Sequence, residues 1–155
     1  MDNLVPGVRN APRALIIRDR QVLLLRKDGY EKGERYALPG GAQEFGETLL
    51  QALNRECREE IGTDVVVRDL LHVADWFKQR ETDPPSTRQL VEFLFDCEVP
   101  DDYRPRNGHR PDKHQVEVVW MPLDDLPKVR IAPSSLADFL QAYPHKRTVY
   151  LGSIT

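Results

Sequence analysis

Cysteine is scarce in this chain. Cys57 and Cys97 are the only two among 155 residues, which excludes a disulfide-stapled scaffold and a multi-cysteine zinc site. One bond between them is open on this count, but two reduced, partly buried thiols in a cytoplasmic protein is the favoured reading. Long apolar runs are missing as well. Ala14–Ile17 and Val22–Leu25 fall far short of the roughly 20 residues a membrane-spanning helix requires. Met1 to Pro12 holds no apolar stretch of the kind a secretory leader carries. Net positive charge is the third absence. With 22 basic against 25 acidic side chains the formal charge is −3, so no global field draws the chain to a nucleic-acid polymer or an anionic membrane.

What is present is the make-up of an ordinary globular domain, 40% hydrophobic and 30% charged, at a length that suits one core and not two. The reading is a lead-in over residues 1–12, one domain over 13–145 and a tail over 146–155. Two β-rich runs, Ala14–Arg18 and Val22–Arg26, flank Asp19-Arg20-Gln21 and predict a hairpin. Further strands are expected at Tyr36–Leu38, Val65–Val67, Leu71–Phe77, Gln89–Cys97 and Gln115–Met121. Helices are expected over residues 48–61 and from Ser134 or Ser135 to about Tyr143. Strands mixed with two helices predict an α/β or α+β layered fold.

The informative stretch runs from Leu38 to Thr63, LPGGAQEFGETLLQALNRECREEIGT. Thr48 with Gln51 three residues on matches a capping box, and Gly62 suits the left-handed position that ends a helix. At 100° per residue, Leu49, Leu50, Leu53, Cys57 and Ile61 share an apolar stripe. Beside it lie Glu56, Glu59 and Glu60, at helical spacings that bring their charges onto one arc. Such like-charge pairs cost roughly 0.2–0.5 kcal/mol each in an isolated helix. No basic residue stands three or four positions from Glu56, where Ala52, Leu53, Glu59 and Glu60 sit. A divalent cation turns that repulsion into binding, and carboxylate oxygens suit Mg²⁺ or Mn²⁺. It would also offset the repulsion between an acidic protein and a phosphate substrate. Ahead of the helix, Pro39, Gly40 and Gly41 allow a sharp turn and a close backbone approach to a ligand, with a carbonyl as a further oxygen donor.

Three glutamates on a helix are usually a solvated face. Here the pattern is narrower: Gly41, Glu47, Arg55-Glu56, Glu59-Glu60 and Gly62 fix seven identities over 22 positions. At typical residue frequencies of about 5–7% a chance match is on the order of 10⁻⁸ to 10⁻⁹ per register. The segment resembles the Nudix box, the signature of the Nudix hydrolase family. All seven fixed identities are present; Cys57 stands at one aliphatic position as a common variant, and Thr63 departs from the other. The box covers 23 of 155 residues, and Trp120-Met121-Pro122-Leu123-Asp124-Asp125-Leu126 is similar to a late-strand motif of many members.

The resemblance implies an α/β Nudix fold, a mixed β-sheet sandwiched between helices with the box as a loop–helix–loop. It implies a metal-dependent pyrophosphohydrolase, in which water attacks phosphorus in a nucleoside diphosphate linked to another group. By position Glu56 and Glu60 would be the principal ligands of Mg²⁺ or Mn²⁺. Glu59 would be a further ligand or the base, the Gly40 carbonyl a backbone ligand, and Arg55 would pair with Glu47 to brace the loop and orient Glu56. A homodimer fits the family, although no sequence feature sets one. The alternative is a catalytically silent Nudix domain that binds nucleotides or a regulatory partner, against which the intact box argues. Isoprenoid diphosphate isomerisation finds no second supporting set of residues.

Outside the box the signals thin. The further acid that many members place before the late-strand tryptophan is expected near His114, where no carboxylate stands. His114 could act as base or substrate contact, although a surface histidine is the commoner case. Arg104, Arg106, His109 and Arg110 lie in the long polar segment from Pro100 to Lys113, where a phosphate clamp competes with a solvated loop. Trp76, Phe77 and Tyr103 could stack a base or belong to the core. The family's markers for ADP-ribose and diadenosine polyphosphates, a proline or a tyrosine some 15 residues past the box, are replaced by Lys78-Gln79-Arg80. The sequence does not name its substrate.

Overall fold

The computed structural model describes residues 3–142 and 148–155; the expected helix end at Tyr143 lies outside them. Among the described residues the elements run β1 (Leu4–Leu15), β2 (Ile17–Arg18), β3 (Gln21–Lys27), β4 (Arg35–Ala37), α1 (Leu49–Ile61), β5 (Val66–Arg80), β6 (Ser86–Glu98), β7 (Gln115–Pro122), α2 (Leu136–Ala142) and β8 (Tyr150–Ile154), with a 3-10 segment at Leu123–Lys128 before α2. One sheet has the order β1-β6-β5-β8; in the other, β3 pairs with β2, β4 and β7. The first sheet is mixed, since β1 runs parallel to β6 and β8 parallel to β5, while β5 and β6 are antiparallel.

Alternation along the strands explains why helices cover both faces. On β3, Leu23 and Leu25 join Leu53, Cys57 and Ile61 of α1, whereas Val22 and Leu24 join Leu136, Phe139 and Leu140 of α2. The same two-residue period divides Phe95 from Leu94 on β6 and Ala14 from Leu15 on β1. The result is the expected sandwich of mixed sheet between helices.

The hairpin between β2 and β3 closes through Asp19 and Arg20, both at positive φ (52° and 59°), the geometry that matches strand twist in a two-residue turn. Elsewhere the boundaries differ from expectation. Val66–Val67 and Leu71–Phe77 belong to one long β5, with the expected Val65 just outside it, and irregularities at Val67/Leu70 and Leu70/His72 absorb the polar Arg68-Asp69. From Leu4 onward the stretch read as a lead-in is strand, because β1 begins there and pairs with β6 from Thr87 to Asp96. Its first half shows little apolar alternation because it is the exposed edge of the sheet. The tail likewise supplies β8. Cys57 and Cys97 are free, buried thiols in the α1-side core.

Candidate active site

The glycine loop is laid along the edge of β1. Ala14 donates its N–H to Pro39 O at 2.9 Å, Gly41 to Pro12 O at 3.3 Å and Gln43 to Asn10 O at 2.8 Å. This close apposition needs Gly40, whose φ is +138° and where a Cβ would lie 2.2 Å from Pro12 O. The next position needs glycine for a different reason. A Cβ on Gly41 would stand 2.6 Å from the Glu56 carboxylate.

Helix α1 starts and stops as its sequence dictates. Thr48 Oγ1 accepts the Gln51 N–H at 3.1 Å and Gln51 Oε1 accepts the Thr48 N–H at 2.9 Å, while Gly62 at φ 74° closes the last turn on Cys57 O. Its buried side chains are Ala52, Leu53, Cys57, Glu60 and Ile61. Leu50, counted above in the apolar stripe, is 47% exposed; the buried face is turned toward Ala52 and Glu60 instead.

The last carbonyls of a helix need outside donors, and the segment from Pro100 to Lys113 supplies them. Arg110 N–H reaches Glu59 O at 2.9 Å, Gly108 N–H reaches Glu60 O at 3.0 Å, Tyr103 Oη–H reaches Ile61 O at 2.7 Å, and Arg106 donates to Gly62 O. Gly108 has no room for a Cβ, which would meet Glu59 O at 2.3 Å. Arg106 also lies against the Tyr103 ring. The loop therefore clamps α1, and neither Arg104 nor Arg106 lines the cleft described below. His114 is also away from it, an exposed turn residue at φ 67° packed on Tyr30.

The three glutamates take different surroundings. Glu60 is 2% exposed and accepts the Gly40 N–H at 2.9 Å through Oε1. Burial, with the nearby charge of Asp112, pushes its pKa well above the ordinary carboxylate value. Glu56 is also pushed up by burial, and Arg55 Nη1 at 3.0 Å opposes the shift. Glu59 receives the same Nη1 at 3.4 Å. Arg55 is anchored by two bonds to Glu47, at 2.7 and 3.0 Å, and one to Ala42 O at 3.1 Å. That pairing raises the pKa of Arg55 and lowers that of Glu47. Spacing on the helical wheel suggested that Glu56 has no basic neighbour. Arg55, one residue away, supplies it because the loop holds its guanidinium over the turn. Among the described residues no three carboxylate, histidine or cysteine side chains already surround one point; Arg55 and the Gly40 N–H hold the glutamates separately.

Beside Gly40, Arg13 Nη1 donates to Gly40 O at 2.9 Å and Nε to both Glu92 oxygens at 3.2 Å. Burial disfavours the Arg13 charge, but Glu92 and Glu60 outweigh it and hold its pKa above normal. Two residues before His114, Asp112 pairs with buried Lys27 at 2.7 Å. Burial alone would raise the Asp112 pKa; Lys27 and the Lys113 N–H reverse that and lower it. Asp112 is thus an acid outside the box that reaches the cleft, as Glu92 is, and neither was foreseen. The spacing of Asp112 from Trp120 gives no signal because the His114 turn redirects the chain.

Gly40, Gly41, Glu56, Arg13, Glu92, Lys27 and Asp112 border one cleft of about 660 Å³ that extends to Trp76 and Lys78, whereas Glu59, Glu60 and Arg55 are not part of its lining. Its floor is the face of the β1-β6-β5 sheet that carries Arg9, Arg13, Arg88 and Glu92. Although the chain is acidic overall, this cleft gathers basic side chains from five strands, and so the field at the site differs in sign from the net charge.

A mixed sheet between two helices, with a glycine loop and a glutamate-bearing helix at the rim of a basic cleft, defines a loop–helix–loop phosphate-handling protein. The NUDIX domain model matches residues 8–143, and the chain belongs to that family. YjhB of Bacillus subtilis, whose name carries a provisional ADP-ribose pyrophosphatase assignment, is 28% identical over 89% of this chain and 64% of its own length. The ADP-ribose pyrophosphatase of Methanocaldococcus jannaschii is 33% identical over 53% of this chain and 47% of its own length. The chain thus spans less than two thirds of either curated relative. A NUDIX hydrolase structure from Nitrosomonas europaea superposes with a TM-score of 0.68 at 20% identity, covering 94% of both chains. Among the described residues no helix is long and apolar enough to cross a membrane.

Proposed function

We propose that this protein is a metal-dependent pyrophosphohydrolase that cleaves the phosphoanhydride bond of a nucleoside diphosphate linked to another moiety. The observation that carries the reading is the buried Glu60, tied to the Gly40 N–H, with Glu56 set against Gly41 at the rim of the basic cleft. Its activity on small nucleotides agrees with the family and with the names of the two curated relatives.

The donor set fits a hard divalent cation. Two desolvated carboxylates, both pushed toward protonation by burial, gain most from a nearby positive charge. Glu56 and Glu60 would hold Mg²⁺ or Mn²⁺, with Glu59 and the Gly40 carbonyl as further oxygen donors. When bound, such an ion polarises phosphoryl oxygen and lowers the pKa of water. The protein's own contribution is positional. Arg55 holds Glu56 and Glu59, Glu47 keeps Arg55 in place, and Glu59 would be either a further ligand or the base that takes a proton from water. Lys27 and Arg13 line the same cleft and would neutralise phosphate oxygens.

The test is chromatographic detection of the two phosphorylated halves produced from nucleoside triphosphates, nucleotide sugars, dinucleoside polyphosphates and ADP-ribose, with Mg²⁺, with Mn²⁺ and with chelator. ADP-ribose is the first candidate. Metal-dependent turnover of at least one of these, lost in Glu56→Gln, is the expected result. No turnover on any of them, with nucleotide binding retained, would establish a silent binding domain.

A further inference from the structure

Beyond the pyrophosphate end of the cleft, the sheet floor carries a second, separate group of cations. Trp76 on β5 pairs with Leu90 on β6, which pairs in turn with Arg9 on β1. One step further along the same face, Lys78 stands directly opposite Arg88, and Arg80 lies opposite Ser86, diagonal to Arg88. Like charges directly across a sheet oppose strand pairing. Among the described residues Arg9, Arg80 and Arg88 form no ion pair; Lys78 forms none either, but the charge of Asp112 favours its ammonium.

The acids of the cleft are all committed at its other end. Glu92 is bound to Arg13, Asp112 to Lys27, and Glu56 to Arg55, with Glu44 3.8 Å from Arg55. The consequences of the crowding are visible in the side chains. Arg88 has its pKa lowered by desolvation and by Arg9 and Arg80; Lys78, set over the Trp76 ring at 5.4 Å, is lowered to about 8 by burial and by Arg13, Lys27 and Arg35 against Asp112, so its ammonium belongs with the cations of the Gly40 end. Glu92 and Arg88 lie on one strand face four residues apart, about 13 Å at roughly 3.3 Å per residue. Between them the floor on β5 and β6 is apolar, Leu90 and Trp76, with Arg9 beside Leu90 on β1. The cleft therefore reads, from the Gly40 end outward, as cation, flat apolar surface, cation.

We infer that Arg9, Arg80 and Arg88 form a second phosphate subsite, so that the preferred substrate is a nucleoside diphosphate derivative bearing another phosphoryl group on its ribose. The inference rests on the reading that the Gly40 end takes the pyrophosphate. The nucleoside then spans the apolar floor, and the extra phosphate supplies the counter-charge the three side chains lack. Arginines suit this role because two N–H groups of one guanidinium can meet two phosphate oxygens.

The experiment is calorimetric titration of the metal-free full chain with ADP, 2′-phospho-ADP and 3′-phospho-ADP, which needs no turnover. One of the ribose-phosphorylated ligands is expected to bind at least about tenfold more tightly than ADP, as one strong charge-assisted contact provides. In Arg80→Gln/Arg88→Gln that ratio is expected to fall toward one. In Arg80→Lys/Arg88→Lys much of it should survive, which a purely structural role would not give. The double Gln variant relieves like-charge contacts, so retention of its fold is expected and is checked by circular dichroism. Equal affinities for all three ligands, or no binding of any, overturns the inference. If the preference appears but hydrolysis is absent under all metals, the proposed activity fails and the subsite stands; if ADP-ribose is hydrolysed with no preference, the reverse holds.

Discussion

Glu60 and Gly40, twenty residues apart in sequence, are joined by a 2.9 Å hydrogen bond from the glycine N–H to the buried carboxylate. The contact fastens the helix to the loop and leaves a carboxylate in a place where burial disfavours its charge. Glu60→Gln separates the two roles, since an amide oxygen still accepts the Gly40 N–H while the negative charge is lost. Turnover is expected to drop by at least about 100-fold, more than removal of an outer partner of a metal site usually costs, with an unfolding midpoint close to wild type. Wild-type turnover in this variant, measured on the best substrate, would remove Glu60 from the chemistry.

Adjacent glycines in the loop should fail differently. A Cβ on Gly40 meets backbone, 2.2 Å from Pro12 O and 2.9 Å from Arg13 Cα, at a φ of +138°. Gly40→Ala is therefore expected to lose about 3 kcal/mol or more in urea unfolding. A Cβ on Gly41 meets only the end of the Glu56 side chain, which can swing away. Gly41→Ala should cost less than about 1 kcal/mol of stability and weaken metal affinity by tenfold or more. A Gly41→Ala variant with normal Mn²⁺ affinity would show that Glu56 need not occupy its place beside the loop.

The Lys27–Asp112 pair gives a third expectation. Lys27 is buried, so removing its partner strands a charge. Asp112→Ala is expected to lose about 2–3 kcal/mol, below the 3–5 typical of fully buried pairs because the Asp112 side chain is 38% exposed. Lys27→Met/Asp112→Ala should recover most of the loss, because the stranded ammonium is gone. Chemical denaturation of the four proteins in the cycle measures this; a double variant as unstable as Asp112→Ala would mean that the loop, not the ion pair, is what Asp112 supports.

These residues also show where the sequence was readable. Helix α1 was, because Thr48, Gln51 and Gly62 act locally and each lies within a turn of what it caps. The mixed sheet between helices followed from the same segment's family resemblance. Asp112 was not readable: its place in the cleft depends on a turn at His114 and on loop contacts to Glu59 and Glu60. Strand β1 was taken as a lead-in because an exposed edge carries no apolar alternation to announce it. Arg9, Lys78 and Arg88 look like unrelated surface charges along the chain, and only the register of three strands makes them neighbours.

Lys78 provides a pH test of the pyrophosphate end of the cleft. Its pKa is about 8 in the folded chain against an ordinary 10.5, desolvation being the first cause and Arg13, Lys27 and Arg35 the next. Below about pH 8 the side chain is protonated in both folded and unfolded chains, and the cost of burying its charge is constant. Between about 8 and 10.5 the folded chain has released the proton while the unfolded chain keeps it, so this group makes stability rise with pH across that window. Lys78→Met should accordingly be more stable than wild type at pH 7, and the difference should shrink as pH rises toward 10. Anion affinity moves the opposite way, since wild type loses a positive charge as pH passes 8 and Lys78→Met has none to lose. Parallel titrations of ADP binding and urea unfolding at pH 7 and 9.5 check both signs. A wild-type affinity that changed with pH no more than that of Lys78→Met would show that the ammonium does not face the bound phosphate.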